Sequence, residues 1–170
     1  PNAEAEVAQL ETGLQTLEKV RPMLARAAGL LQQGKADRPD GGSALDLYRD
    51  VQKLDPQNAV AEQGILQVQR AVLDRALAAV AQNDFAGADG ELARAQQIRP
   101  GTQQMRDVHK RVDDMREQRA RGILAQAHTA LDAGNVTLAI KLAGQVRAID
   151  PDLTGLPALD EQLVNARLYA

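Results

Sequence analysis

Three short runs punctuate this chain and constrain it most: Leu54-Asp55-Pro56, Ile98-Arg99-Pro100 and Ile149-Asp150-Pro151. Each closes a helix-like segment of about 12 residues, because proline lacks an amide hydrogen and disfavours helix at the residue before it. A small residue stands twelve positions before each proline (Ala44, Ala88, Ala139), an apolar or small one eight before (Tyr48, Leu92, Ala143), and Val51, Ala95 and Val146 five before. Those intervals place all three positions on one helical face.

The stretch upstream of each segment repeats as well. Leu24, Ala27 and Leu31 correspond to Leu73, Ala76 and Val80 and to Leu124, Ala127 and Leu131, followed by turn residues Gly34, Asn83-Asp84 and Gly134-Asn135. Such residues tolerate a left-handed backbone or cap the next helix, as Asp84 should before Phe85. Each unit therefore reads as helix, turn, helix, with unit boundaries at about 1–56, 57–100 and 101–151.

Small residue, apolar residue, small residue and proline at these intervals resemble the second helix of the tetratricopeptide repeat, and the resemblance spans about residues 21–151. It implies an all-α, right-handed helical-hairpin repeat within a single domain. Two departures stand out. Lys35-Ala36-Asp37-Arg38-Pro39-Asp40-Gly41-Gly42 is inserted in the first turn, which makes 35–42 the segment expected to move most. The closing prolines lie farther apart than the family's period, and the excess falls in first helices at 58–82 and 102–133, which hold no proline.

Met105, Val108, Val112 and Met115 recur by threes and fours, as do Val7, Leu10, Leu14 and Leu17, so both read as short coiled-coil seams, closed within the chain rather than by a second copy. From 156 to 169 the chain begins a fourth long helix. It reads as a cap on the stack, with Asp160, Glu161, Gln162 and Asn165 as its polar face, or as a truncated further unit.

Composition narrows the function. The formal charge is −3, from 20 basic and 23 acidic residues spread along the chain, so no one-signed field exists to gather nucleic acid. No apolar run nears the ~20 residues of a membrane span. Without cysteine there is neither disulfide nor thiolate metal site, which leaves the compartment open. Aromatics are 2% of the chain (Tyr48, Phe85, Tyr169), so Ala, Leu, Val and Ile must build the core.

Catalytic and metal signatures are not legible, and the expectation is neither enzyme, metal site nor cofactor. His109 and His128 lie about five turns apart on one helix and cannot share a metal. Asp113-Asp114, Asp37/Asp40 and Asp160-Glu161 read as solvated carboxylates, and the insertion lacks the alternating ligands of a calcium loop. Gly41-Gly42 opens no phosphate loop, and Ser43 reads as the N-cap of the helix that begins at Ala44.

One polar column suggests binding. Arg21, Arg70 and Arg121 share a register just before the apolar start of each first helix. The resemblance implies that they face a concave groove, beside the column Leu24, Leu73, Leu124 and the column Ala28, Leu77, His128. A guanidinium row along an apolar floor suits an extended or helical peptide carrying acidic residues. Leu24, Leu73 and Ala28 depart from the subtype that clamps a C-terminal carboxylate with Lys and Asn.

The run from Gly41-Gly42-Ser43-Ala44-Leu45 to Leu54-Asp55-Pro56-Gln57-Asn58-Ala59 also resembles repeat segments beside bacterial Ser/Thr kinase or formylglycine-enzyme-like domains. That likeness implies a docking or sensing part of a larger bacterial protein, on the periplasmic side of the inner membrane. The expectation is a scaffold that binds a protein or peptide, with a structural spacer or homodimer as the other reading.

Overall fold

The computed structural model describes residues 2–168, so Tyr169 and the end of the expected 156–169 helix lie outside the described residues. Seven helices follow one another with no strand among the described residues: α1 (Asn2–Gln32), α2 (Ala44–Leu54), α3 (Ala59–Ala81), α4 (Phe85–Ile98), α5 (Gln103–Asp132), α6 (Val136–Ile149) and α7 (Leu156–Leu168). Long first helices alternate with short second ones. No helix among these residues is long and apolar enough to cross a membrane.

The turns are set by local chemistry that recurs three times. At Gly34, Asn83 and Gly134 the backbone takes φ of 77°, 61° and 77°. Their amides donate to the carbonyls of Leu31, Val80 and Leu131, and the next amides reach back to Leu30, Ala79 and Ala130. This paired bonding ends a helix by satisfying its last carbonyls. Asn replaces Gly at the second turn because its short polar side chain tolerates the left-handed region.

The following helices are capped by side chains. Asp84 Oδ1 accepts from the Gly87 amide at 2.8 Å, Asn135 Oδ1 from Leu138 at 3.1 Å, and Asn58 Oδ1 from Ala61 at 2.9 Å. Ser43 and Asp46 form a reciprocal capping box on α2.

The chain divides into two compact units, residues 1–76 with 90–105, and residues 77–89 with 106–170. In the first, α1 pairs with α2, and the expected small-and-apolar faces are buried: Val20 and Ala27 from α1, Ala44, Tyr48 and Val51 from α2, Leu92 and Ala95 from α4. Where a Gly64 Cβ would stand, Tyr48 Cζ lies 2.3 Å away, so the glycine admits the ring against α3.

The second unit is built on alanines that let helices approach closely. Ala127, Ala130, Ala139 and Ala143 pack with Leu159 and Leu163 of α7, and Ala120, Ile123 and Val146 pack with Leu153 and Leu156. Outward from α7 point Glu161, Gln162 and Asn165, together with the apolar Val164 and Leu168. Arg116 lies 5.3 Å from the centre of the Phe85 ring, a cation–π contact, and also pairs with Asp89.

Three sequence expectations fail in the first unit. The 35–42 segment is fastened rather than loose: the Ala44 and Leu45 amides donate to the carbonyls of Lys35 and Ala36 at 2.9 Å, and Ala36 is buried. Asp37 is not solvated, being 1% exposed. The Val7, Leu10, Leu14 and Leu17 seam, expected to close within the chain, is uncovered among the described residues. α2 explains this, because its 11 residues run beside only about a third of the 31-residue α1.

Candidate functional site

The arginines singled out by the sequence reach the surface, but their apolar neighbours do not all follow. In the first unit Arg21 and Arg70 are exposed, Leu24 is half-buried, and Leu73 is 1% exposed and belongs to the core. In the second unit Arg121 is exposed and pairs with Glu117 one turn back. Leu77 and His128 are half-buried there. Leu124 packs into the core beside Gly155, whose added Cβ would meet Leu124 Cδ2 at 3.1 Å. Of the expected apolar floor, Leu73 and Leu124 are therefore largely spent on internal packing.

Asp37 organises the densest set of charges. Its carboxylate accepts from Arg75 at 2.9 Å and from Arg94 Nε at 3.1 Å, and its carbonyl accepts from Arg94 at 3.1 Å. Arg75 also donates to Glu91 at 2.9 Å, while Arg38 approaches Glu91 and Arg94 approaches Asp40, each at 3.7 Å. Burial alone would lower the Arg75 pKa, but the bonds to Glu91 and Asp37 outweigh it and raise it. Arginine does not release protons near neutrality, so each carboxylate here is locked against a permanent cation. The cluster is a clamp that holds 35–42 on α3 and α4.

A second buried polar group works in the same unit. Gln69, fully buried on α3, donates to the carbonyls of Ala95 and Arg99 at the end of α4 and accepts from Thr102 Oγ1 and Gln104 Nε2, both at 2.7 Å. Thr102 in turn accepts from the Met105 amide at 3.2 Å, capping α5. One amide thus fixes the α4–α5 corner and leaves no free polar atom to offer a ligand.

The remaining surface of note is α1. Val7, Leu10, Leu14 and Leu17 are 54%, 69%, 61% and 58% exposed. A groove of about 590 Å³ runs along Leu10, Leu14 and Leu17 and ends against Leu54, Asp55 and Pro56 at the close of α2. In the second unit, a shallower apolar groove of about 540 Å³ lies between α5 and α6, lined by Ala125, Thr129, Ala130, Leu138 and Leu142. Neither groove gathers titratable side chains, and no cluster of three or more His, Cys, Asp or Glu able to hold a metal occurs among the described residues. His109 Nε2 stands 4.0 Å from Asp113 on the exposed side of α5.

No protein-family model, curated protein or solved structure matches this chain. What the chain can do must therefore be argued from its surfaces. Sequence reasoning found the α1 seam but missed Asp37, Arg75, Arg94 and Gln69. For Gln69 a signal existed: it lies in an apolar row, between Val68 and Val72 with Ile65 one turn away. For Asp37 no local signal existed, since its cations stand 38 and 57 residues away.

Proposed function

We propose that this chain is a non-catalytic protein-interaction module of the tetratricopeptide-like kind, which binds a partner protein or peptide along a helical face. The row of exposed apolar side chains on α1 carries this reading. Isolated surface leucines are ordinary, but four large apolar residues in coiled-coil register, beside a groove that ends in Leu54 and Pro56, form a continuous apolar strip. Such strips on helices serve as seams for another helix. The buried clusters, by contrast, are paired internally, with Arg75 Nε alone lacking a partner among the described residues, and serve to hold the fold.

The likeness to repeat segments of larger bacterial proteins agrees with a docking or sensing role beside an effector. Capture from a lysate tests the reading. The double substitution Leu10→Gln, Leu14→Gln, on positions that make no core, should abolish specific capture while leaving helicity unchanged. Capture that survives it, but is lost on replacing Arg21, Arg70 and Arg121 by Ala, would move the site to the arginine face. A homo-oligomer held by the same strip is the second reading, and light scattering separates it.

A further inference from the structure

We infer that the free stretch of α1, from Val7 to Leu17, is the docking site for an amphipathic helix of another protein, about four turns long, whose apolar stripe is flanked by Lys and Arg. This rests on the interaction reading above and gives the partner its chemistry. Continuity of the seam is the first argument. Leu10, Leu17, Leu24 and Leu31 follow at seven-residue steps, and the last two are half-buried in the part of α1 that pairs with α2. α1 is about 46 Å long and α2 about 16 Å, at 1.5 Å per residue. The same face therefore runs on past the end of α2 with nothing on it. A helix laid there would follow in line after α2, its end against Leu54 and Pro56.

Charge decides between occupants. With Val7 and Leu14 at one core position of a heptad and Leu10 and Leu17 at the other, Glu4, Glu11 and Glu18 line one edge of the stripe and Glu6 the other. No basic residue occurs before Lys19, and the α2 end adds only Lys53, already paired with Asp50 at 2.7 Å. In a parallel pair of α1 helices Glu6 would face Glu11 of the mate. An antiparallel pair would set the edge of Glu4, Glu11 and Glu18 against itself. Both arrangements oppose like charges, which disfavours a second copy, whereas a basic-flanked helix meets opposite charge on both edges.

Two synthetic 16-residue helical peptides with one apolar stripe, one flanked by Lys and one by Glu, test this against the full chain by fluorescence anisotropy. The Lys peptide should bind roughly tenfold tighter, the size that three or four exposed ion pairs supply together. The preference should shrink at high salt and vanish in Glu11→Lys, Glu18→Lys, which leaves two acidic and two basic flanks. Leu10→Gln, Leu14→Gln should abolish binding of both. Equal binding of the two peptides, lost in the leucine variant, would overturn the charge inference and leave the interaction reading standing. Binding of neither would overturn both for this face. A dimer by light scattering that Leu10→Gln dissociates would overturn the inference in favour of a second copy.

Discussion

Arg94 reaches back 57 residues to Asp37, donating from Nε to its carboxylate and from its terminal nitrogen to its carbonyl, each at 3.1 Å. The two contacts fix side chain and backbone of one residue at once, so the inserted segment is anchored at its middle. Its first two residues, Lys35 and Ala36, are tied through their carbonyls to the start of α2.

Asp37→Ala should therefore both destabilise and loosen the protein. It leaves Arg94 with only the exposed carboxylate of Asp40, at 3.7 Å, and Arg75 with Glu91 alone. Breaking a buried pair costs about 3–5 kcal/mol. Arg75 is 37% and Arg94 29% exposed, so water recovers part of this, and a loss of about 2–3 kcal/mol is expected in urea unfolding. Trypsin gives an independent readout, because Lys35 is exposed but held by backbone bonds on both sides. Cleavage after Lys35 should be slow in the native chain and fast in the variant.

Gly64→Ala should destabilise despite alanine's helix propensity, which favours it by about 1 kcal/mol. The new methyl would stand 2.3–2.6 Å from three atoms of the Tyr48 ring, which is 3% exposed and has no room to swing away. Overpacking of this kind costs about 1–3 kcal/mol, and a ring held on all sides belongs at the upper end. Thermal unfolding should show a lower Tm for Gly64→Ala. Adding Tyr48→Leu should recover much of the loss, and a double-mutant cycle with no coupling would refute the contact.

The contrast between these two sites shows what could be read from sequence. Ala44, Tyr48 and Val51, Ala88, Leu92 and Ala95, and Ala139, Ala143 and Val146 are all buried, as helical spacing required. The turns at Gly34, Asn83 and Gly134 and the cap at Ser43 fall where turn chemistry put them. These features depend on neighbours within about one turn. Asp37 does not: a stretch of Lys, Asp, Arg, Pro and Gly has the composition of a solvated loop, and only the fold brings Arg75 and Arg94 to it. The α1 seam lies between the two cases. Its register announces a helical partner, but only the shortness of α2 shows that the partner is not supplied within the described residues.

Gln69→Leu should be costly although it is close in shape. The leucine leaves the Ala95 and Arg99 carbonyls without this donor and removes the acceptor of Thr102 Oγ1 and Gln104 Nε2. Buried groups left unpaired cost about 1–3 kcal/mol each, less where water reaches them. A total of about 2–4 kcal/mol is expected by urea unfolding. Amide exchange should quicken first at Met105, whose amide is capped by the Thr102 that Gln69 orients.

Ser43→Ala carries a pH signature that the other variants lack. Ser43 Oγ accepts from the Asp46 amide at 3.2 Å, and Asp46 Oδ2 accepts from the Ser43 amide at 3.1 Å and from its hydroxyl at 2.6 Å. Burial alone would raise the Asp46 pKa. The bonds from Ser43 and the Gly41 backbone, with the charge of Arg49, outweigh it and hold the carboxyl below its ordinary value of 3.8. A carboxyl whose pKa is lower folded than unfolded stabilises the fold above the unfolded value and loses that contribution as pH falls through the folded one. Removing the serine takes away the cap, worth about 1–2 kcal/mol, and two of the bonds that keep Asp46 ionised are weakened or lost. Urea unfolding should therefore show the larger penalty at pH 7 and a smaller one at acid pH, as falling pH carries Asp46 through its lowered pKa. A penalty that is the same at both pH values would mean that the hydroxyl serves only the helix backbone and that Asp46 takes no part in the box.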